Sequence, residues 1–232
     1  MSWPIYWNKK NIWTDSEIWK KDVEFLYKKT FDMFSYNEKH TVLDIGCGNG
    51  DFAKKISNKV GQVYCLDTSQ EFINLCKINM SNKNNVKILK LNNDYTNLSF
   101  LKNIKFSIII ANSVVQYYKS QEEIMNLVKS VKKIALKNAY FLIADIHVVD
   151  KKKSYSKLIY NSIINGYFIS LMKMGLKIFM NKEFRDMIKY QSLLIVDLDK
   201  FIKDLSILVN KVTVINENLT VNPNRKHLLI QF

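Results

Sequence analysis

Residues 42–52 constrain the fold of this chain most strongly, because an apolar run leads directly into a glycine-rich turn and then into a helical pattern. The letters are VLDIGCGNGDF, with Gly46, Gly48 and Gly50 at alternate positions. Glycine has no Cβ, so the backbone can turn sharply there and approach a ligand closely. A strand, a glycine turn and a helix in this order indicate an α/β fold with a ligand site at the end of the strand.

Short apolar runs alternate with helical patterns between residues 41 and 146. Continuous apolar runs are typical of strands that helices cover on both faces, so we expect a Rossmann-like, doubly wound, seven-stranded and mostly parallel sheet. The predicted strands are 41–45, 62–66, 86–90, 106–111, 140–146, 211–216 and 226–232. The predicted helices between them are 51–58, 70–80, 121–135 and 197–208.

Two segments lie outside this alternation. The first, 1–40, contains all four tryptophans, and apolar residues at spacings of three and four predict an aromatic amphipathic helix over 16–34. The second, 147–196, follows the fifth strand and is mostly helical, with a polar stripe and a wide apolar face that we expect to pack on something. We therefore predict one domain, with an N-terminal cap helix, a cofactor-binding core (41–146), a helical lid insertion and a closing helix with two strands (197–232).

Asp67 ends the second apolar run, 23 positions after Asp44. A carboxylate at that place can accept hydrogen bonds from both hydroxyls of a ribose. Together with the D-x-G-x-G-x-G spacing, these residues resemble the class I S-adenosylmethionine-dependent methyltransferases, and the resemblance covers residues 40–146 and the two closing strands. It implies S-adenosyl-L-methionine as the cofactor.

The resemblance also implies a set of cofactor-binding residues. The first motif would hold the methionine part, Asp67 the ribose and Asp94 the adenine amine, with an ordinary turn residue as the alternative for Asp94. Aromatic residues of the N-terminus, including Trp13, would close over the cofactor. The full set is Tyr6, Trp7, Asp44, Gly46, Cys47, Gly48, Gly50, Asp67, Thr68, Asp94, Tyr95 and Asn112.

The catalytic residues are less constrained. The segment 111–118 resembles the part of the family that faces the substrate, so Tyr117 is a candidate catalytic residue, yet the segment lacks the histidines that many members carry near this position. We expect His147, after the fifth strand, to take the acceptor's proton, with Asp145 orienting it, binding substrate or capping the next segment. His147 can equally be a surface loop residue. A catalytic metal is not expected, because Asn112 stands where a metal-dependent enzyme would place a carboxylate.

The charge of +14 first suggests nucleic acid or a membrane. However, only Arg185 and Arg225 are arginine, the side chain that base and phosphate readers prefer, and no proline follows Asn112 as in nucleic-acid N-methyltransferases. We therefore predict no nucleic-acid partner. The insertion's basic residues can form a solvated face, attract an anionic substrate or contact a membrane surface peripherally. They are the lysine run 151–153, Lys157, Lys173, Lys177, Lys182, Arg185 and Lys189.

The three cysteines show no CxxC pair and no metal-ligand spacing, and no signal sequence is evident, so we expect a cytoplasmic protein, monomer or homodimer. The predicted function is methyl transfer to a small, anionic acceptor, such as a sugar or a phosphorylated or nucleotide-linked surface-glycan precursor, with O-methylation favoured. N-methylation or methylation of a phosphoramidate-type group is the alternative within enzymes. A catalytically silent, cofactor-binding partner subunit is the alternative outside them.

Overall fold

The computed structural model describes residues 2–14, 16–92, 94–149 and 154–232. Its centre is one seven-stranded sheet in the order β3-β2-β1-β4-β5-β7-β6. Strands β1 to β5 pair in parallel, and β7 runs antiparallel to both β5 and β6. This confirms the predicted seven-stranded, mostly parallel sheet. The strands are β1 (Thr41–Ile45), β2 (Gln62–Asp67), β3 (Val86–Lys90), β4 (Phe106–Asn112), β5 (Ala135–Ile146), β6 (Lys211–Ile215) and β7 (Lys226–Gln231).

Helices cover both faces of the sheet, because alternate strand residues enter two different apolar clusters. Leu43 and Ile45 of β1 pack on one side, whereas Val42 packs on the other. The described helices are α1 (Trp3–Trp7), α2 (Glu17–Phe34), α3 (Asp51–Ile56), α4 (Gln70–Asn79), α5 (Gln121–Ile134), α6 (Tyr155–Ile164), α7 (Phe168–Met180), α8 (Lys182–Tyr190) and α9 (Leu198–Ser206).

The helix boundaries follow local capping chemistry. Ser16, Ser69 and Ser120 each accept a hydrogen bond from the backbone amide three residues on, at the start of α2, α4 and α5. The predicted start of the fifth strand at residue 140 is wrong, since β5 begins at Ala135. A register shift against β4 and a left-handed Asn138 (φ +65°) interrupt this early part, so its sequence carries no clean strand pattern.

The insertion after β5 forms the predicted helices, but its packing differs from the expectation. The wide apolar face of α6 and α7 is largely exposed, whereas α6 buries the polar side chains of Asn161 and Ser162. Gly166 (φ +70°) separates the two helices. The predicted lysine run 151–153 lies outside the described residues. Within the described ranges, no helix has the length and apolar character needed to cross a bilayer.

Candidate active site

A cavity opens at the carboxyl ends of β1, β2 and β4, where parallel sheets commonly place ligands. Its floor is the glycine turn that follows β1. The backbone amides of Gly46 and Cys47 both donate to the carbonyl of Leu66, at 2.7 and 3.0 Å, and tie this turn to β2. The turn therefore presents its backbone to the cavity as a fixed surface.

The turn leaves no room for side chains at two of its glycines. A Cβ on Gly48 would lie 2.7 Å from the indole of Trp19, and one on Gly46 would lie 2.3 Å from the side chain of Val114. Both glycines have positive φ, +54° and +74°. Glycine is required at these positions by conformation and by space.

Asp67 ends β2 at the cavity wall and is buried. One carboxylate oxygen accepts from the Gly48 amide at 2.9 Å and the other from the Ser69 amide at 2.8 Å. Burial raises the pKa of Asp67 to about 6, and these hydrogen bonds oppose the rise. Because each oxygen has a second lone pair, Asp67 can hold the turn and still accept from ligand hydroxyls.

Two further acceptors at the cavity lack a hydrogen-bond partner among the described residues. They are the buried Oδ2 of Asp44 and Oδ1 of Asn112, and both residues line the cavity. Burial raises the pKa of Asp44 to about 8. Buried acceptors of this kind need a donor, so the wall fits a ligand that carries an ammonium group or hydroxyls.

The structure places most of the predicted cofactor residues on this wall: Trp7, Asp44, Gly46, Cys47, Gly48, Asp67, Thr68, Tyr95 and Asn112. Tyr6, Gly50 and Asp94 are not among the described residues that line it. Tyr6 is buried behind Trp7, with ring centroids 5.3 Å apart, and Gly50 precedes α3. Asp94 is exposed and accepts from the Thr96 hydroxyl at 3.0 Å.

The three predicted catalytic residues occupy different places. Tyr117 lines the cavity, with its ring 5.0 Å from Trp3 and 5.4 Å from Trp7. His147 is not among the described lining residues, and its backbone carbonyl accepts from the Val196 amide at 2.8 Å. The structure therefore brings Tyr117 to the cavity and places His147 outside the lining.

Asp145 is buried at the end of β5 in a left-handed conformation (φ +64°). Its Oδ2 accepts from the Ser113 hydroxyl at 2.8 Å, and its Oδ1 lies 3.2 Å from Nε of Arg225 in an ion pair. The Asp145 amide donates to Nδ1 of His227 at 3.1 Å. Asp145 thus connects the cavity residue Ser113 to Arg225, which directly precedes β7, and to His227 in β7. The sequence analysis did not predict this connection.

Asp22 is a cavity residue that the sequence analysis did not select. It lies on α2, lines the cavity and accepts from the Val221 amide at 2.6 Å. Burial, followed by the charge of Asp145, raises the pKa of Asp22 to about 7, and the Val221 amide and Arg225 oppose the rise. A carboxyl group with this pKa can exchange a proton near neutral pH.

Trp3 was also missed as a site residue. It lines the cavity beside Trp7, and the buried Nε1 atoms of both indoles lack a hydrogen-bond partner among the described residues. Trp3 and Tyr6 pack against Phe184 of α8, with ring centroids 6.4 and 5.6 Å apart. The N-terminal segment and the insertion therefore build this side of the site together.

The three cysteines converge beneath the glycine turn, although they stand 18 and 11 positions apart in sequence. The sulfur atoms of Cys47, Cys65 and Cys76 all lie within 4.8 Å of one another, and all three residues are buried. Hydrogen bonding among the thiols lowers the pKa of Cys76 and raises that of Cys47. Such a set can ligate a soft metal ion, although the sequence shows no metal-ligand spacing. The absence of a catalytic metal stays a prediction.

Comparison with known proteins agrees with this geometry. A family described as Methyltransferase domain matches residues 42–138. The pyocyanin biosynthetic protein PhzM is structurally similar, with a TM-score of 0.60 and 8% identity over 90% of this chain and 54% of that chain. Phosphoethanolamine N-methyltransferase 1 of Haemonchus contortus, solved with phosphoethanolamine and S-adenosylhomocysteine, gives a TM-score of 0.51 and 14% identity over 66% of this chain. No curated protein sequence matches the chain.

The present chain spans about half of the length of PhzM and about a third of the length of the nematode enzyme. The family match covers β1 through the early part of β5, which includes the glycine turn, Asp67 and Asn112. The orphaned acceptors and the crowded glycines in that region fit the cofactor of this family. Residues 42–138 therefore match the methyltransferase-domain family, and the sheet has the fold of a solved methyltransferase that binds S-adenosylhomocysteine.

Proposed function

We propose that this chain transfers the methyl group of S-adenosylmethionine to a small acceptor bound beside Asp22, Ser113 and Tyr117. The observation that carries the proposal is that the cavity wall holds more polar groups than the cofactor needs. The glycine turn, Asp44 and Asp67 line the cavity, and so do Asp22, Ser113 and Tyr117. The first group suits a nucleoside with an amino-acid tail, which leaves the second group for the acceptor.

The cofactor residues act by binding and orientation. Asp67 would accept from the ribose hydroxyls, and Asp44 and Asn112 would accept from the ammonium group. When bound, S-adenosylmethionine supplies a methyl group already activated by its sulfonium. The protein then has to hold the acceptor in line, exclude water and accept one proton from the acceptor.

We assign Asp22 as the general base that accepts this proton. As a hydroxyl oxygen of the acceptor forms its bond to the methyl carbon, the bond from that carbon to the sulfonium sulfur would break and leave S-adenosylhomocysteine. The hydroxyl proton would move to a carboxylate oxygen of Asp22. The negative charge of Asp145 raises the pKa of Asp22, and the positive charge of Arg225 lowers it. This assignment replaces His147 in our proposal, because Asp22 lines the cavity and His147 is not among its described lining residues. It favours O-methylation.

The hydrogen-bond donors around the site indicate the chemical class of the acceptor. The indole N–H groups of Trp3 and Trp7 have no hydrogen-bond partner among the described residues, so they can bind the oxygens of an anionic or sugar-like acceptor. Lys10 and Lys177 line a second depression together with Tyr6 and Glu183. These groups support a phosphorylated sugar or a nucleotide-linked glycan precursor as the acceptor class.

N-methylation is the second candidate, and a specific observation favours it. Four carboxylates line the cavity, namely Asp22, Asp44, Asp51 and Asp67, whereas no lysine or arginine does so among the described residues. An acidic wall attracts an amine in its ammonium form. An amino sugar or a phosphorylated amino alcohol would satisfy both the carboxylates and the indole donors.

The proposal is tested by measuring transfer of labelled methyl groups from S-adenosylmethionine to sugar phosphates, nucleotide sugars, amino sugars and phosphoethanolamine. In the wild type, one acceptor class should be methylated. Asp22→Asn should lower turnover on it about 10²- to 10⁴-fold, the range for loss of a general base, with affinity for S-adenosylhomocysteine unchanged. Asp32→Asn, an exposed position on the same helix, is the matched control.

Two outcomes would contradict the proposal. Cofactor binding without turnover on any acceptor class would favour a silent partner subunit. Full activity in Asp22→Asn would remove Asp22 as the base. The pH profile separates the two chemistries, because an O-methyltransferase should gain activity as pH rises through about 7 and lose that step in Asp22→Asn. With an amine acceptor, the variant should still gain activity as the acceptor itself loses its proton.

A further inference from the structure

Helix α6 is oriented against the usual rule for a surface helix. Its polar residues Asn161 and Ser162 are buried, and the Asn161 amide donates to the Tyr167 hydroxyl at 2.6 Å. Its large apolar and aromatic side chains face outward with exposed fractions of 46% to 78%. These are Tyr155, Ile159, Tyr160, Ile163 and Ile164. In water this arrangement is unfavourable, so the exposed face indicates a contact with something apolar.

Helix α7 adds a second exposed apolar face. Met174 is buried against Ile18 and Val221, and Phe168, Leu171 and Ile178 are half-buried, whereas five large side chains are 55% to 79% exposed. They are Ile169, Met172, Leu176, Phe179 and Met180. The Asn161 amide and the Tyr167 hydroxyl both donate to the Val221 carbonyl, so both helices dock on the same part of the body. Their exposed sides, together called the apolar surface, point away from that body.

The basic side chains near the apolar surface decide which partner fits it. Lys157, Lys173 and Lys182 are exposed, as are Lys177, Arg185 and Lys189, whereas Glu183 and Asp186 are the acidic residues within 154–196. A second copy of this chain would bring these like charges together across a two-fold axis. Exposed apolar side chains with lysines on the same helices fit instead a bilayer surface with anionic headgroups, although Lys173 also lies 4.0 Å from a carboxylate oxygen of Glu17. The acyl chains would contact the apolar side chains, and the phosphates would pair with the lysines.

We propose that the apolar surface of α6 and α7 docks this protein on the face of an anionic lipid bilayer. Helix α7 has 13 residues, or about 20 Å, too short for a hydrocarbon core of about 30 Å, so the helices lie in the interface and do not span it. The apolar surface reaches the active site through α8, whose Phe184 packs on Trp3. Docking does not depend on which acceptor is methylated, or on methyl transfer itself.

The test uses the full chain and vesicles of phosphatidylcholine with or without phosphatidylglycerol, separated by sedimentation. Wild-type protein should bind the anionic vesicles and bind neutral ones at least tenfold more weakly. Raising the salt from about 0.1 to 1 M, which shortens the Debye length from about 10 to 3 Å, should weaken the anionic binding. Ile164→Ser and Phe179→Ser, one on each helix, should each weaken it about tenfold.

Matched controls separate the apolar surface from general stickiness. Ile78→Ser and Ile207→Ser replace side chains that are 69% and 82% exposed elsewhere on the protein, and should leave vesicle binding unchanged. Lys157→Gln with Lys182→Gln should weaken it, whereas Lys39→Gln with Lys137→Gln, at exposed positions outside the insertion, should not. Because all eight positions are exposed, the thermal midpoint should not move in any of these variants.

Three results would overturn the proposal. The first is no wild-type binding to anionic vesicles. The second is an equal loss in the control pairs, which would make the binding nonspecific. The third is a wild-type dimer in analytical ultracentrifugation that Phe179→Ser converts to a monomer while vesicles bind neither form, which would assign the apolar surface to a second copy of the chain.

Discussion

The carboxylates around the cavity are held at raised pKa values by their surroundings. Burial is the first cause for Asp22, Asp44 and Asp67, at about 7, 8 and 6 respectively. No lysine or arginine among the described lining residues offsets these groups. Such a wall costs the folded protein stability until a ligand with ammonium or hydroxyl donors satisfies it, which is typical of a binding site.

Asp22 gives a stability prediction with a definite sign. Its pKa is 3.8 in the reference state and about 7 in the folded protein, so between these pH values the folded chain keeps a proton that the unfolded chain releases. Stability contributed by Asp22 is therefore complete below pH 4 and falls as pH rises to 7. Asp22→Asn removes this slope and should be more stable than wild type at pH 8, on the order of a few kcal/mol. Urea unfolding at pH 4, 6 and 8 measures it.

The opposite outcome would show that Asp22 is ionised in the folded protein across this pH range. Asp22→Asn would then be less stable than wild type at each of the three pH values, because the Val221 amide would lose a charged acceptor. Asp32→Asn should show the wild-type slope. A stabilised and inactive variant would match the trade-off between stability and function expected at a catalytic position.

Asp67 gives a prediction about cofactor affinity. Asp67→Ala should weaken binding of S-adenosylhomocysteine by about 1–3 kcal/mol, the range for loss of a charged hydrogen-bond acceptor, measured by titration calorimetry. Because Asp67 also holds the Gly48 amide, a modest drop in thermal midpoint is expected as well. Asp32→Ala serves as the control, and wild-type affinity in Asp67→Ala would remove Asp67 from the ribose site.

At the scale of elements, the predicted helices and strands were confirmed where periodicity and capping agree. Helix α2 begins after Ser16 and ends at Phe34, as its apolar spacing indicates, and β1 and the glycine turn lie where the motif places them. The early part of β5 was missed because Asn138 and the register shift break the strand pattern. Local sequence patterns therefore predicted the elements, and the prediction failed where the backbone departs from regular strand geometry.

The site was predictable only where one motif contains it. The glycine turn and Asp67 follow strand ends, so their meeting at the cavity could be expected from topology. Asp22 reads as one polar residue of an amphipathic helix, and only the tertiary fold brings it to Val221 and Arg225. The three cysteines meet for the same reason, since no sequence spacing encodes a contact between β2, α4 and a turn.

The glycine turn gives a prediction at the element scale. Gly48→Ala adds a Cβ 2.7 Å from Trp19 at a positive φ, whereas Gly166→Ala meets nothing within 4 Å at a similar φ. Both variants carry the left-handed strain of about 1–2 kcal/mol, but only Gly48→Ala must also displace a cavity residue. Gly48→Ala should lose more stability and should bind S-adenosylhomocysteine at least tenfold more weakly, measured by thermal unfolding and calorimetry. Equal effects of the two substitutions would show that the turn is not tightly packed on the site.

At the scale of the whole molecule, the two segments outside the sheet close the site together although they are far apart in the chain. Trp3 and Tyr6 pack with Phe184 and Met187 in one apolar cluster. The N-terminal segment is also tied to the core, since the Trp7 carbonyl accepts from the Ser69 hydroxyl at 2.8 Å and Asn8 accepts from the Gln70 amide at 2.7 Å. Cofactor and acceptor regions therefore share one aromatic wall.

This shared wall predicts what removing residues 1–15 does. The sheet and its two clusters do not contain that segment, so far-ultraviolet circular dichroism and the slow hydrogen exchange of β1 and β4 should persist. Affinity for S-adenosylhomocysteine should fall at least tenfold, because Trp3 and Trp7 leave the cavity wall. Amide exchange in α8 should accelerate, because Phe184 and Met187 lose the aromatic rings that cover them.

Lys9→Gln, which removes only the exposed ion pair with Glu183, should change neither the cofactor affinity nor the amide exchange of α8. Unchanged cofactor affinity in the truncated chain would mean that the N-terminal aromatics cover the insertion and take no part in the site.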